Sequence, residues 1–154
     1  MTPDNVTDLT TGDLRAAPPT RRALVADFVP SSPLVRTLGI RLDRLEPDLA
    51  ELVLPFAEAN VTIGDVVHGG AIAALIDTAG MTAAWADETR PPGLAGATVS
   101  MSVDYVAAAR GADLRARAEV VRRGRSLCFV EVTVRDRDGE GEVVAKGLVT
   151  HRFG

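Results

Sequence analysis

Cysteine is almost missing from this chain: Cys128 is the single one among 154 residues. No internal disulfide can form, so the core alone has to hold the fold, and such cysteine usage suits a reducing cytosol. The Asn-X-Thr triplets at Asn5 and Asn60 are accordingly read as chance. Aromatics are also scarce, at one Trp, one Tyr and four Phe, too few for the stacking platform of a single-strand binder. Positive charge is short as well. Seventeen Lys and Arg face 21 Asp and Glu, a net charge of -4, which is the wrong sign for a protein that grips a phosphate backbone. No apolar run approaches the ~20 residues of a membrane span, and the amino-terminal residues lack the basic start and apolar stretch of a secretion signal. Nucleic acid and membrane are therefore not expected as partners, and the expected location is the cytoplasm.

What is present suits one globular domain: 46% apolar and 25% charged residues in 154 are enough for a single core. Residues 1–22 hold Thr, Asp, Pro and Arg without apolar periodicity and read as a mobile or loosely docked extension, which leaves 23–154 as the domain. A short helix is expected over 20–28, broken by Pro30 and Pro33. Alternation from Leu38 to Leu54 around Pro47-Asp48 predicts a half-buried hairpin. Residues 71–86 contain only Asp77, Thr78 and Thr82 as polar side chains. A helix apolar on nearly all sides has to be wrapped, since one apolar stripe suffices for a surface helix. Residues 96–106 alternate, with Ala97, Val99, Met101, Val103 and Tyr105 set against Thr98, Ser100, Ser102 and Asp104. Further strands are expected over 113–122, 126–135 and 142–152, joined by turns at 123–125 and at Asp138-Gly139. Strands joined by short links after one helix predict an α+β fold: an antiparallel sheet curled around a long central helix.

Two features of that helix could carry chemistry. Gly69-Gly70 at its start lets a ligand approach the backbone, and free N–H groups there lie at the positive end of the helix dipole, a ready oxyanion or phosphate site. The alternative is that the glycines only permit close packing of the helix entry. Asp77, a carboxylate among Ala, Ile, Leu and Met, has to be hydrogen-bonded, paired or facing a wet cavity. It can be a satisfied cap or a partner of a hydroxyl such as that of Thr98, or it can be a base. Gly69 and Asp77 are eight residues apart, about 12 Å on one straight helix, too far to act on one carbonyl. Two antiparallel copies of the helix would bring the glycine end of one chain beside Asp77 of the other, under twofold symmetry.

His68-Gly69-Gly70 followed by Asp77-Thr78-Ala79 resembles the hotdog-fold thioesterases of the phenylacetyl-CoA (PaaI-type) group, over roughly residues 33–152. The resemblance implies that the Gly69 N–H polarises the thioester carbonyl and that Asp77 of the partner subunit acts as general base or nucleophile, most often by activating water. It also implies that Thr98 helps hold that water and that His68 orders the glycine turn beside Gly70. Where family members carry an Asn six positions before the His, this chain has Thr62, and Asn60 stands eight before, so either Asn60 or Thr62 is the substrate-binding residue of this loop. The 89–96 segment is richer in Pro and Gly than the family pattern.

The Arg122-Arg123-Gly124-Arg125 turn offers Arg123 and Arg125 as grips for CoA phosphates, against the alternative of a merely solvated hairpin. His151 has no partner at metal-site spacing with His68 and is read as structural. Cys128 is read as a small buried hydrophobe, and Met81 and Trp85 follow core spacing and can floor an acyl pocket. The expected activity is hydrolysis of aryl or medium-chain acyl-CoA by a homodimer or homotetramer, with no metal and no cofactor beyond the CoA of the substrate. A non-catalytic acyl-CoA binder and an enoyl-CoA hydratase are the rivals; the latter needs an Asp and a His acting together, whereas His68 and Asp77 lie apart on the helix.

Overall fold

The computed structural model describes residues 18–154; residues 1–17 of the expected extension lie outside the described residues. The elements run α1 (Arg21–Ser31), α2 (Pro33–Leu38), the hairpin β1 (Arg41–Glu46) and β2 (Leu49–Leu54), a small hairpin of β3 (Val61–Ile63) and β4 (Val66–Val67), α3 (Gly69–Trp85), and then β5 (Gly96–Tyr105), β6 (Leu114–Arg123), β7 (Leu127–Arg135) and β8 (Val143–Phe153). Six strands form one antiparallel sheet in the order β1-β2-β6-β7-β8-β5. This sheet curls around α3, as the apolar composition of the helix requires. The core is the layer between them: Leu75, Ile76, Ala79 and Ala83 of α3 meet Leu52, Ala116, Val130, Val132 and Val149 of the strands.

Two glycines set how closely helix and sheet approach. A Cβ on Gly80 of α3 would lie 2.7 Å from Val149 Cβ, and one on Gly147 of β8 would lie 2.5 Å from Ile76 Cγ2. Each layer therefore has a hole where the other has a branched knob, the close packing on which interiors depend.

The expected boundaries shift in three places, each for a physical reason. Pro30 does not end the first helix, because α1 runs to Ser31 with Pro30 in its last turn, where proline's missing N–H costs one bond rather than a run of them. Arg21 and Arg22, assigned to the loose extension, lie inside α1, and their backbone N–H groups donate to Thr89 and Asp87 carbonyls at 2.9 and 3.0 Å. The strict alternation over 96–106 is broken by a β-bulge, since Thr98 pairs with His151 while Ser100 pairs with Thr150. Val99 is the extra residue, and Thr98 thereby joins Met101, Val103 and Tyr105 on the inward face, paired with His151, Val149, Gly147 and Ala145 of β8.

The last turn of α3 carries no basic residue of its own, and β6 supplies one. Arg123 Nη1 donates to the Ala84 carbonyl at 2.6 Å and to Asp87 Oδ2 at 2.9 Å, while Nη2 donates to Asp48 Oδ1 at 2.6 Å. A cation is favourable at this negative end of the helix dipole. Asp87 also accepts from Thr89 N at 2.7 Å, from the Thr89 hydroxyl, and from Arg21 Nη1 at 3.2 Å. Burial alone would raise the Asp87 carboxyl, but the bonds from Thr89 and Arg21 and the charge of Arg123 outweigh it and hold the group below the ordinary carboxylate range. None of the helices in the described residues is long and apolar enough to cross a membrane.

Gly80→Ala gains up to ~1 kcal/mol of helix propensity but drives a methyl into Val149, an overpacking that costs ~1–3 kcal/mol. Differential scanning calorimetry is expected to show Tm lowered by about 3–8 °C, with part of the loss recovered in Gly80→Ala/Val149→Ala. Because the folded Asp87 carboxyl is depressed, its stabilisation is present above the unfolded value of about 3.9 and is lost as pH falls through the folded value. Urea unfolding from pH 6 to pH 2 is expected to show a shallower acid loss in Asp87→Asn than in the unsubstituted chain.

Candidate active site

The start of α3 is built so that one amide remains free. His68 is the N-cap, and its Nδ1 accepts the Gly70 N–H at 2.8 Å. The His68 carbonyl accepts from Ala71 N at 2.9 Å and from Ile72 N at 3.2 Å, and the His68 N–H donates to the Asn60 carbonyl at 2.7 Å. A helix start has several N–H groups without intrahelical partners. Here those of Gly70 and Ala71 are engaged, and no group among the described residues accepts the N–H of Gly69. Both glycines also have a packing reason. A Cβ on Gly70 would meet His68 Nδ1 at 2.9 Å, and one on Gly69 would meet the Tyr105 ring at 3.3 Å. The two readings of the glycine pair thus coexist, and they divide between the two residues: Gly70 gives its amide to the cap and is not a substrate donor, whereas Gly69 keeps its own.

Asp77 lies two turns along α3, half-buried, and Thr98 Oγ1 donates to its Oδ1 at 2.7 Å. That bond exists because of the bulge at Val99, which turns Thr98 toward the helix. Asp77 is not sealed off. With Thr78 and Thr98 it lines a cavity of about 550 Å³ whose other walls include Leu24, Val29 and Val35 of α1 and α2, Met81 and Trp85 of α3, and Leu94. An apolar cleft of this size with a few convergent polar groups is what a small-molecule site requires. Met81 and Trp85 do floor the cavity, as their spacing allowed. The wall formed by α1 and α2 was not expected; Leu24, Val25 and Phe28 share a face in the sequence, but what that face covers depends on docking.

His151 forms part of the same wall. Buried, it pairs with Thr98 across the strands, and its Nε2 accepts the Trp85 indole N–H at 2.9 Å. Burial lowers its pKa, against the attraction of the Asp77 carboxylate, so the ring is the neutral acceptor that satisfies the buried indole. Its structural reading stands in that form. Cys128 is fully buried, and burial raises its thiol pKa, as suits an inert core residue.

The arginine turn divides. Arg123, one of the two expected phosphate grips, is engaged within the chain by the end of α3, by Asp48 and by Asp87. Arg122 and Arg125 remain exposed. Of the alternatives in the loop, Asn60 is the one beside the glycine turn, through the His68 bond, and its Nδ2 donates weakly to the Leu38 carbonyl at 3.5 Å. Thr62 is exposed on the β3–β4 hairpin.

Comparison with known proteins agrees with this architecture. The thioesterase superfamily profile matches residues 64–143, just over half of the chain. A putative esterase of Halobacterium salinarum is 35% identical over 73% of this chain and 76% of its own length. A medium/long-chain acyl-CoA thioesterase of Escherichia coli, YigI, is 26% identical over 82% of this chain and 89% of its own. Among solved structures, a thioesterase family protein from Silicibacter pomeroyi superposes with a TM-score of 0.78 at 31% identity, covering 86% of this chain and 96% of that one. An antiparallel sheet wrapped around one long helix is the hotdog fold, and by profile, relatives and fold together the chain belongs to the thioesterase superfamily.

Proposed function

We propose that the protein hydrolyses aryl or medium-chain acyl-CoA thioesters to free acid and CoA, without a metal or redox cofactor. The observation that carries this reading is the Asp77–Thr98 pair in the wall of an apolar cavity, on a helix whose first turn keeps one amide free. Water attack on a thioester carbonyl places negative charge on its oxygen, and an N–H aimed there from a helix start offsets that charge. Asp77 takes the proton of the attacking water as general base. The new C–O bond forms, the C–S bond breaks, and the proton held by Asp77 passes to the departing thiolate. Because the Thr98 hydroxyl occupies Oδ1, Oδ2 is left for water and the carboxylate cannot swing away from it.

One chain cannot do this alone, since eight residues of helix separate Gly69 from Asp77 by about 12 Å. The sheet ends at β5, an edge bearing Val99 and Met101 exposed and without the lysines or prolines that guard edges against pairing. Thr98, near one end of β5, is bonded to Asp77, and Tyr105, at the other end, is bonded to Gly69. Antiparallel pairing of two β5 strands about a twofold would bring the Asp77 end of one chain beside the Gly69 end of its partner, giving two equivalent sites. A homodimer is therefore the unit of function, alone or doubled into a tetramer. The activity named for the YigI relative supports an acyl-CoA substrate, and Arg122 and Arg125 are the side chains left for its phosphates.

Asp77→Asn keeps an acceptor for Thr98 but removes the base, and kcat for thiol release from phenylacetyl-CoA or octanoyl-CoA is expected to fall about 100-fold or more with KM little changed. Thioester binding without turnover in the unsubstituted chain would instead identify a binder. Gly69→Pro deletes the amide at a position where proline is welcome in a helix, and the extended backbone of His68 before it, φ -65° and ψ 132°, tolerates a following proline. Each variant alone is expected to be inactive, whereas mixed and refolded together they should regain about a quarter of full activity, from the one intact site in each heterodimer. No recovery on mixing would exclude a site shared between chains.

A further inference from the structure

The peptide plane that follows the free amide is held at both ends. Its N–H, that of Gly70, donates to His68 Nδ1 at 2.8 Å, and its carbonyl, that of Gly69, accepts the Tyr105 hydroxyl at 2.8 Å. The preceding plane is held through the His68 carbonyl, which accepts from Ala71 and Ile72. Two consecutive glycines would otherwise be the loosest joint in the chain. Here both planes flanking Gly69 are fixed, and among the described residues its N–H alone is left without a partner.

The Tyr105 bond has no role in satisfying the backbone. The Gly69 carbonyl lies in the first turn of α3, where it already accepts from the residue four further on. The phenol is a second donor to it, carried by a ring 53% exposed, and the ring carbon lies only 3.3 Å from where a Gly69 Cβ would be. A half-exposed aromatic laid over a glycine, giving its hydroxyl to a carbonyl that needs none, is poorly explained by packing alone. It is well explained as a clamp on the orientation of the neighbouring amide.

We infer that Tyr105 is a positioning residue for thioester hydrolysis, holding the Gly69 amide in the direction from which it polarises the carbonyl. This rests on the thioesterase reading given above. The hydroxyl acts through a cooperative chain, from phenol to Gly69 carbonyl, through the peptide to the Gly70 N–H, and on to the His68 imidazole. Because His68 Nδ1 is the acceptor at the end of that chain, a neutral His68 ring carries its proton on Nε2. Tyr105 also ends β5, so the strand whose outer edge is free also sets the orientation of the amide. An amide already aimed at the place where charge will develop needs no reorganisation during the reaction, which is why such donors are effective.

Tyr105→Phe tests this while keeping the ring over Gly69. Losing an oxyanion donor outright costs 10²–10³ in kcat, so loosening one is expected to cost about tenfold in kcat, with KM within about twofold. Melting temperature and oligomeric state, measured by calorimetry and size-exclusion chromatography, should match the unsubstituted chain. A kcat unchanged in Tyr105→Phe, or a loss that appears only in KM or follows a lowered Tm or a dissociated dimer, would overturn the assignment. Asp77→Asn assayed in parallel separates the two ideas. If it is inactive while Tyr105→Phe is normal, the positioning role alone fails; if it is fully active, the thioesterase mechanism fails and the role of Tyr105 with it.

Discussion

A helix buried on nearly every side leaves only its two ends and one flank for polar chemistry, and the structure of this chain follows from that constraint. α3 contributes Leu75, Ile76, Ala79, Ala83 and Ala84 to the core with no exposure. At its carboxyl end, which is buried, the backbone cannot be left bare without cost, and its amino end reaches the surface. The amino end is closed by His68, the carboxyl end by Arg123, and the closures differ in one respect. At the carboxyl end a guanidinium with many donors meets Asp48, Asp87 and two carbonyls. At the amino end one donor, the Gly69 N–H, has no partner among the described residues. An unpaired polar group is a defect in a core, but on a half-buried helix start it is a donor that a ligand can use.

The flank carries the second polar group. Asp77 interrupts the apolar surface of α3 where the sheet offers a hydroxyl rather than a methyl, and that hydroxyl faces inward only because β5 bulges at Val99. The bulge thus couples strand geometry to the carboxylate. A strictly alternating β5 would put Thr98 on the opposite face from Met101 and Val103, leaving Asp77 facing the cavity without its partner. Local irregularity beside a functional side chain is a common use of bulges.

The parts of this arrangement legible in the sequence are those encoded by contrast between neighbours. Asp77 stands out because Ala, Ile and Leu surround it, and the hairpins show through Pro47-Asp48 and Asp138-Gly139. What was hidden depends on residues far apart in the chain. Arg123 reads as one of three arginines in an exposed turn, and only folding brings it to Ala84, Asp87 and Asp48. The bulge at Val99 is invisible because inserting a residue into an alternating run of small and apolar side chains leaves the run looking alternate. Pro30 reads as a breaker in the sequence, yet a proline in the last turn of a helix breaks little. Tyr105 passed as the end of a strand, because nothing local links it to Gly69, 36 residues earlier.

The same distances bear on why the proposed site would be shared between chains. Within a protomer, Gly69 and Asp77 are fixed to different ends of β5, one through Tyr105 and the other through Thr98. Any motion that brought them together in one chain would have to break one of those bonds and bend a helix packed at van der Waals contact against Val149 and Gly147. A twofold axis between two paired β5 strands would achieve the approach with no distortion, because antiparallel pairing sets opposite ends of the two strands side by side. Rigidity in the protomer is then what a symmetric pair of sites requires: the more firmly each group is tied to its own end of β5, the better the partner's group is aimed when the edges meet.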